Sequence, residues 1–155
     1  MKFTAAVVTG LLATSASALF DKYQPWGKRD YSCINAYSGP TENSTIAAGT
    51  TVEIKFDRNS GRCDSYLDAY PAANYSLWLY NNPVSVMNGV KSDAEIKIRQ
   101  NDIPSNATSV TFTVPTDLPE VDDETVWYLR LSTSLNTAPQ MPSLFSVLGP
   151  FRIVQ

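Results

Sequence analysis

Aromatic and arginine side chains occupy alternate positions in two apolar stretches, residues 75–80 and 125–132. The side chains in question are Trp78, Tyr80, Tyr128 and Arg130. Flat aromatic rings can stack on the apolar faces of sugar rings, and a guanidinium group can donate hydrogen bonds to sugar hydroxyls. These residues indicate a polysaccharide-binding face if both stretches are paired strands. The structural alternative is that the same rings and cation stabilise a sheet without any ligand.

The binding interpretation depends on which side of each strand faces the core. We expect two alternating sets to point inward: Tyr75, Leu77 and Leu79 in the first stretch, and Trp127, Leu129 and Leu131 in the second. The four residues above then share an exposed sheet face, and Lys97, Arg99 and Arg152 lie beside it. Because side chains alternate between the two faces of a strand, an error of one residue would instead put Trp78 in the core, as in antibody domains.

Acidic side chains crowd the segment before the second stretch. They are Asp117, Glu120, Asp122, Asp123 and Glu124. Carboxylates on one loop could ligate calcium, but the spacing is not that of an EF-hand loop. A solvated acidic turn is the commoner structure, so we predict no metal site here.

Asp64 and Asp68 supply the two carboxylates that a glycosidase needs at a minimum, yet nothing in the sequence places them across a sugar. The chain has no histidine, which excludes a Ser-His-Asp triad, a Cys-His pair and histidine-ligated metal or haem. We expect no catalytic residues and no cofactor. The net charge of −3, with basic residues scattered among acidic ones, argues against a nucleic-acid partner.

The first 18 residues have the pattern of a secretory signal peptide. A positive start at Met1-Lys2 precedes a mostly apolar run over residues 3–12, and Ala16-Ser17-Ala18 fits a signal-peptidase site. We expect cleavage after Ala18 and secretion; the alternative, a membrane anchor, needs a longer apolar run of about 20 residues. Lys28-Arg29 could end a propeptide over residues 19–29 or be a solvated dibasic pair, and both interpretations stay open.

The mature chain, residues 30–155, is expected to be a single extracellular domain. Its two cysteines, Cys33 and Cys63, are expected to form a disulfide in an oxidising compartment rather than remain free thiols. Sequons at Asn43, Asn74 and Asn106 predict N-glycosylation. The last residues are not an apolar run, so we expect no membrane anchor in the mature chain.

Alternating apolar and polar residues predict strands through most of the chain after residue 30. The alternation is clearest in residues 51–56, 95–99, 110–114 and 151–153. Turn-forming Gly, Pro and Asn residues separate these stretches, and no stretch has a helical stripe. About seven short strands predict an all-β fold, an antiparallel β-sandwich of the immunoglobulin or fibronectin III kind.

Four segments in order carry a resemblance to a known family. They are Gly49–Phe56, Val110–Pro119, Trp127–Leu131 and Gly149–Ile153. Together they resemble the fungal cell-wall domain of the killer-toxin-resistance and serine/threonine-rich glycolipid-anchored families. The resemblance implies a fibronectin-like sandwich in a secreted or wall-associated fungal protein, with some members linked to β-1,6-glucan assembly, and it implies no catalytic residues. The serine/threonine-rich stalk and the anchor signal of common members are missing from this sequence, so permanent wall attachment is not expected.

We therefore expect a secreted, non-enzymatic fungal protein that is associated with the cell wall or extracellular matrix and binds or organises polysaccharide, with β-glucan as the candidate. The alternative is a secreted effector or interaction protein that binds another protein through the same face or through the loops near Cys63. An enzyme is the third class.

Overall fold

The computed structural model describes residues 34–58, 73–86, 89–134 and 143–155. The ten strands within these ranges are β1 (Asn35–Ser38), β2 (Thr45–Ala47), β3 (Thr51–Asp57), β4 (Tyr75–Asn81), β5 (Val84–Val86), β6 (Gly89–Lys91), β7 (Ala94–Ile103), β8 (Ser109–Thr113), β9 (Trp127–Ser134) and β10 (Ser143–Val154). No helix that could cross a membrane occurs among these residues.

The strands form two sheets and a hairpin. A three-stranded sheet has the order β1-β3-β8, a five-stranded sheet has the order β2-β10-β9-β4-β7, and β5 pairs with β6. The predicted all-β sandwich is thus confirmed. Two details differ from the prediction: the described part holds ten strands rather than about seven, and β2 runs parallel to β10 in an otherwise antiparallel arrangement.

The first two strands belong to different sheets. β1 pairs with β3, β2 pairs with β10, and Gly39 and Pro40 lie between them. Proline has no N–H group to donate to a ladder, so pairing stops there and the chain passes to the other sheet. This change of sheet places β2 beside β10, where the two form the parallel pair.

The core lies between the sheets and is built from alternating residues of both. The predicted inward sets are all buried, namely Tyr75, Leu77, Leu79, Trp127, Leu129 and Leu131. From the three-stranded sheet, Ile54 and Phe56 of β3 and Val110 and Phe112 of β8 pack against them. The rings of Phe56 and Tyr75 meet edge to face with centroids 5.0 Å apart, which joins the two sheets at the start of β4.

A bulge in β10 keeps both Leu148 and Phe151 on the core side. Leu148 lies opposite Leu129 and Phe151 lies opposite Trp127, with a register shift between the two pairs. Residues three apart point to opposite faces of a regular strand, so the extra residue is what turns Phe151 inward. Gly149 occupies the bulge at φ 130°, and a Cβ there would lie 2.7 Å from the Trp127 carbonyl oxygen. Glycine is therefore required at this position.

Replacing Gly149 with alanine is expected to destabilise the fold more than the same change at Gly49. Both glycines have positive φ, so both variants carry backbone strain of roughly 1–3 kcal/mol. At Gly49 a Cβ would meet Thr116 Cγ2 at 3.4 Å, an ordinary contact. Gly149→Ala adds a clash with backbone atoms, which costs roughly 1–3 kcal/mol more. Urea unfolding of the two variants measures the difference, and equal losses would contradict the steric argument.

Candidate functional site

The four predicted binding residues lie on one face of the five-stranded sheet. β4 and β9 pair in a register that sets Trp78 opposite Arg130 and Tyr80 opposite Tyr128, so the expected pairing of the two strands is confirmed. We call the side of this sheet that is turned away from the core the outer face. Its central residues are Ser76, Trp78 and Tyr80 of β4 and Tyr128, Arg130 and Ser132 of β9.

The expectation that all four side chains are exposed is wrong for the two tyrosines. Tyr80 and Tyr128 are 7% and 6% exposed and form a second apolar cluster. The residues packed against this cluster are Trp78, Val90, Val126 and Val147. Most of this cover comes from outside β4 and β9, so the alternation within those strands does not reveal it. Trp78 and Arg130 remain partly exposed.

Trp78 is held by contacts with two neighbours. Its ring centroid lies 6.4 Å from that of Tyr80, with the ring planes at 29°. Lys97 stands opposite Trp78 on β7, and its Nζ atom lies 5.1 Å from the Trp78 ring centroid. Lys97 is thus where the sequence predicts it. The stacking and the cation–π contact together fix the orientation of the indole.

Arg130 contacts a residue that the sequence analysis misses. Its guanidinium carbon lies 5.1 Å from the ring centroid of Phe145, which is buried and stands opposite Ser132 on β10. The positive charge of Arg130 also acts on the Tyr80 hydroxyl, where it opposes the rise in pKa that burial causes. Phe145 lies outside the predicted strands; its spacing of two residues from Val147 was the available signal.

The two other cations expected beside this face are engaged elsewhere. Arg99 Nε lies 2.6 Å from Asp102 Oδ2, so its charge is paired with a carboxylate of the same strand. Arg152 is exposed, and its charge acts on Asp123. Neither arginine borders the groove that runs over the outer face.

A groove of about 330 Å³ runs over the outer face. Its lining combines aromatic and guanidinium groups with hydroxyl and amide side chains. The lining residues are Asn74, Ser76, Trp78, Tyr80, Asn101, Arg130, Ser132, Thr133 and Ser134. Three of the four predicted binding residues therefore border one cavity, whereas Tyr128 belongs to the buried cluster alone.

Hydrogen bonds fix one end of the groove, where β4 and β7 shift register. The Ser76 hydroxyl accepts a hydrogen bond from the Asn101 N–H and donates one to Asn101 Oδ1, both at 2.9 Å. Asn74 Nδ2 donates to the Asn101 carbonyl oxygen at 3.1 Å. Asn101 has φ 52°, a left-handed conformation that asparagine adopts more readily than most residues. No local signal in the sequence indicates the register shift that brings Asn74, Ser76 and Asn101 together.

Burial raises the pKa of two tyrosine hydroxyls. For Tyr80, burial is the main cause, the nearby Glu95 carboxylate adds to the rise, and Arg130 opposes it. Burial also raises the pKa of Tyr75, and Arg58 opposes that rise. Both hydroxyls therefore stay neutral above the pH at which an exposed tyrosine ionises.

Asp123, in the acidic segment, is a turn-forming residue. Its Oδ1 accepts hydrogen bonds from the Thr125 N–H at 2.8 Å and the Thr125 hydroxyl at 2.6 Å, and these bonds lower the pKa of the Asp123 carboxyl. Buried Asn81 donates from Nδ2 to the Asp123 carbonyl oxygen at 2.8 Å. In the part of the chain that the structure describes, no three acidic, histidine or cysteine residues are placed to hold a metal ion.

Several predicted residues lie outside the described ranges. They are Ala18, Lys28, Arg29, Cys33, Cys63, Asp64 and Asp68. The signal peptide, the dibasic processing site and the disulfide therefore stay predictions. The three sequon asparagines, Asn43, Asn74 and Asn106, are described, and all three are exposed.

Comparison with known proteins assigns no family. No family model matches the sequence, and no curated protein matches it. A solved structure described as "X-Ray photoreduction of Polysaccharide monooxygenase CBM33" is similar with a TM-score of 0.34 and 11% identity, over 73% of this chain and 60% of that chain. The chain thus spans less than two thirds of that protein, and a likeness of this extent assigns no activity. The resemblance to the fungal cell-wall families stays a prediction.

Tyr128→Ala is expected to destabilise the protein more than Trp78→Ala, although tryptophan is the larger side chain. Tyr128 is buried, and truncation of a buried aromatic side chain costs roughly 3–5 kcal/mol. Trp78 is partly exposed, so its truncation removes less buried area and leaves no closed cavity. Chemical denaturation of both variants measures the free energies of unfolding. A larger loss for Trp78→Ala would contradict the exposures described above.

The fold is expected to lose stability as the pH rises above 10.0, the ordinary pKa of tyrosine. With raised pKa values, the folded chain keeps protons that the unfolded chain loses. This contribution is complete below the unfolded-state pKa and disappears as the pH passes through the folded-state value. Thermal unfolding from about pH 8 to about pH 11 should show a shallower decline for Tyr80→Phe than for the wild type. Parallel declines would contradict the raised pKa of Tyr80.

Proposed function

We propose that this chain is a secreted, non-enzymatic protein that binds polysaccharide in the groove on the outer face. The observation that carries the proposal is the arrangement of Trp78 beside a wall of hydroxyl and amide groups in a single cavity. A sugar ring presents C–H groups on its faces and hydroxyl groups around its edge. An aromatic ring and hydrogen-bonding side chains that meet at one site complement both parts.

The contacts that orient the Trp78 side chain favour binding. The indole stacks on Tyr80 and lies under the Lys97 ammonium, so its orientation is set before a ligand arrives. A side chain that is already ordered loses little conformational entropy on binding. Tyr80 and Tyr128 are buried, so the residue on which the indole stacks is itself packed in place.

The polar lining suits a neutral polymer. Ser132 and Ser134 offer hydroxyl groups along β9, and Asn74 and Asn101 offer amides at the groove end. Along β4, the distance from Asn74 to Tyr80 is about 20 Å at 3.3 Å per residue, which accommodates a segment of a polymer rather than one sugar. A β-glucan is the proposed ligand because the sequence resembles fungal cell-wall families.

Binding without hydrolysis fits the groups that face the groove. Hydroxyl, amide, aromatic and guanidinium side chains line it in the described residues, and these groups hold sugars. Hydrolysis of a glycosidic bond uses a pair of carboxyl groups on either side of the bond. The N-terminal signal-peptide pattern and the exposed sequons support the secreted, cell-wall-associated location that we propose.

Retention of the mature protein, prepared without N-glycans, on insoluble β-glucan, chitin and fungal walls tests the proposal. We expect retention on β-glucan, and Trp78→Ala should weaken it roughly tenfold, which corresponds to about 1.4 kcal/mol. The matched control is Tyr37→Ala, because Tyr37 is an aromatic residue of β1 in the other sheet and is 59% exposed. Its retention should equal that of the wild type.

Two results would overturn the proposal. One is a wild-type protein, free of N-glycans, that no polysaccharide retains. The other is equal retention of Trp78→Ala and Tyr37→Ala when thermal unfolding shows both variants to be folded. Either result would direct attention to a protein partner instead.

A further inference from the structure

One of the three sequon asparagines borders the proposed binding groove. Asn74 begins the sequon Asn74-Tyr75-Ser76, is exposed, and lines the groove together with Trp78. Asn43 lies in the turn before β2, and Asn106 lies between β7 and β8; both are exposed, and neither lines this groove. The three sequons therefore differ in what an attached glycan would cover.

The Asn74 side chain has a defined direction. Its Nδ2 atom donates one hydrogen to the Asn101 carbonyl oxygen at 3.1 Å, which leaves the second amide hydrogen for substitution. N-glycosylation transfers an oligosaccharide from a lipid-linked pyrophosphate donor. The bond between sugar C1 and the pyrophosphate oxygen breaks, a bond between C1 and Nδ2 forms, and the amide proton leaves to a base. The remaining N–H can keep its bond to Asn101, so the first sugar starts at the groove end.

The path from Asn74 to Trp78 lies along a single strand face. Side chains two apart on a strand share a face, so Asn74, Ser76 and Trp78 follow one another along the groove. Four residues at 3.3 Å each separate Asn74 from Trp78 by about 13 Å, a distance that the first few sugars of a glycan span. The Ser76 and Asn101 hydrogen bonds give this path a fixed floor.

From this placement we infer that an N-glycan on Asn74 lies in the groove against Trp78 and excludes polysaccharide from it. The inference rests on the proposed function, since it assigns a means of regulation to the same site. The glycosylated chain is then the closed form and the unmodified chain is the open form. A glycan is a suitable occupant because the groups that recognise a free sugar polymer also recognise a tethered one.

The test compares glycoforms of the full chain. Protein from a glycosylating host is prepared as wild type and as Asn74→Gln, Asn43→Gln and Asn106→Gln, with site occupancy measured by mass spectrometry. Wild-type protein from a host without N-glycosylation keeps the Asn74 side chain and its bond to Asn101, so it separates the effect of the glycan from that of the substitution. Each sample is assayed for oxidation of Trp78 by N-bromosuccinimide, by peptide mapping, and for binding of a soluble β-glucan.

We expect Trp78 to be oxidised several-fold more slowly whenever Asn74 carries a glycan, and glucan affinity to rise several-fold when it does not. Loss of the glycan at Asn43 or Asn106 should change neither quantity. An unoccupied Asn74, or equal Trp78 oxidation with and without its glycan, would overturn the inference. Glucan binding that is equal in all glycoforms would also overturn it while leaving the proposed function standing. Protection of Trp78 by the Asn74 glycan, with no glucan bound by any form, would support the glycan's place in the groove and reject the proposed function.

Discussion

The register between β4 and β9 is the constraint on which the rest of the structure depends. Leu79 stands opposite Leu129, and Tyr80 stands opposite Tyr128. Because side chains alternate along both strands, this one alignment sends the leucines into the core and the tyrosines to the outer face. A slip of one residue in either strand would exchange the two sets, so the alignment that forms the core also assembles the groove.

Departures from regular strand pairing close one end of the groove and turn Phe151 into the core. The register shifts between β4 and β7 bring Asn101 onto Ser76 and close one end of the groove. The Gly149 bulge in β10 turns Phe151 into the core without moving Leu148 out of it. Each bulge costs regular ladder bonds, and each re-aims side chains that alternation alone would misdirect.

On the outer face, some side chains stabilise the sheet and others remain accessible to a ligand. Tyr80 and Tyr128 are buried in their own cluster and stabilise the sheet, while Trp78 and Arg130 stay partly exposed above it. The cluster holds Trp78 by stacking, and Arg130 lies over the buried ring of Phe145. A ligand would therefore meet side chains whose positions are already set, which lowers the entropic cost of binding.

Local patterns in the sequence indicated β3, β4, β7, β8, β9 and the end of β10, together with the inward residues of β4 and β9 and the shared face of Trp78, Tyr80, Tyr128 and Arg130. These properties follow from a period of two residues, which any short stretch reveals. Only the tertiary structure decided that the tyrosines are covered, because Val90 of β6 and Val147 of β10 come from other strands. It alone placed Phe145 under Arg130 and assigned β1 and β2 to different sheets. Burial, bulges and the passage of the chain from one sheet to the other depend on contacts between residues far apart in the chain. The alternation of neighbouring residues does not indicate such contacts.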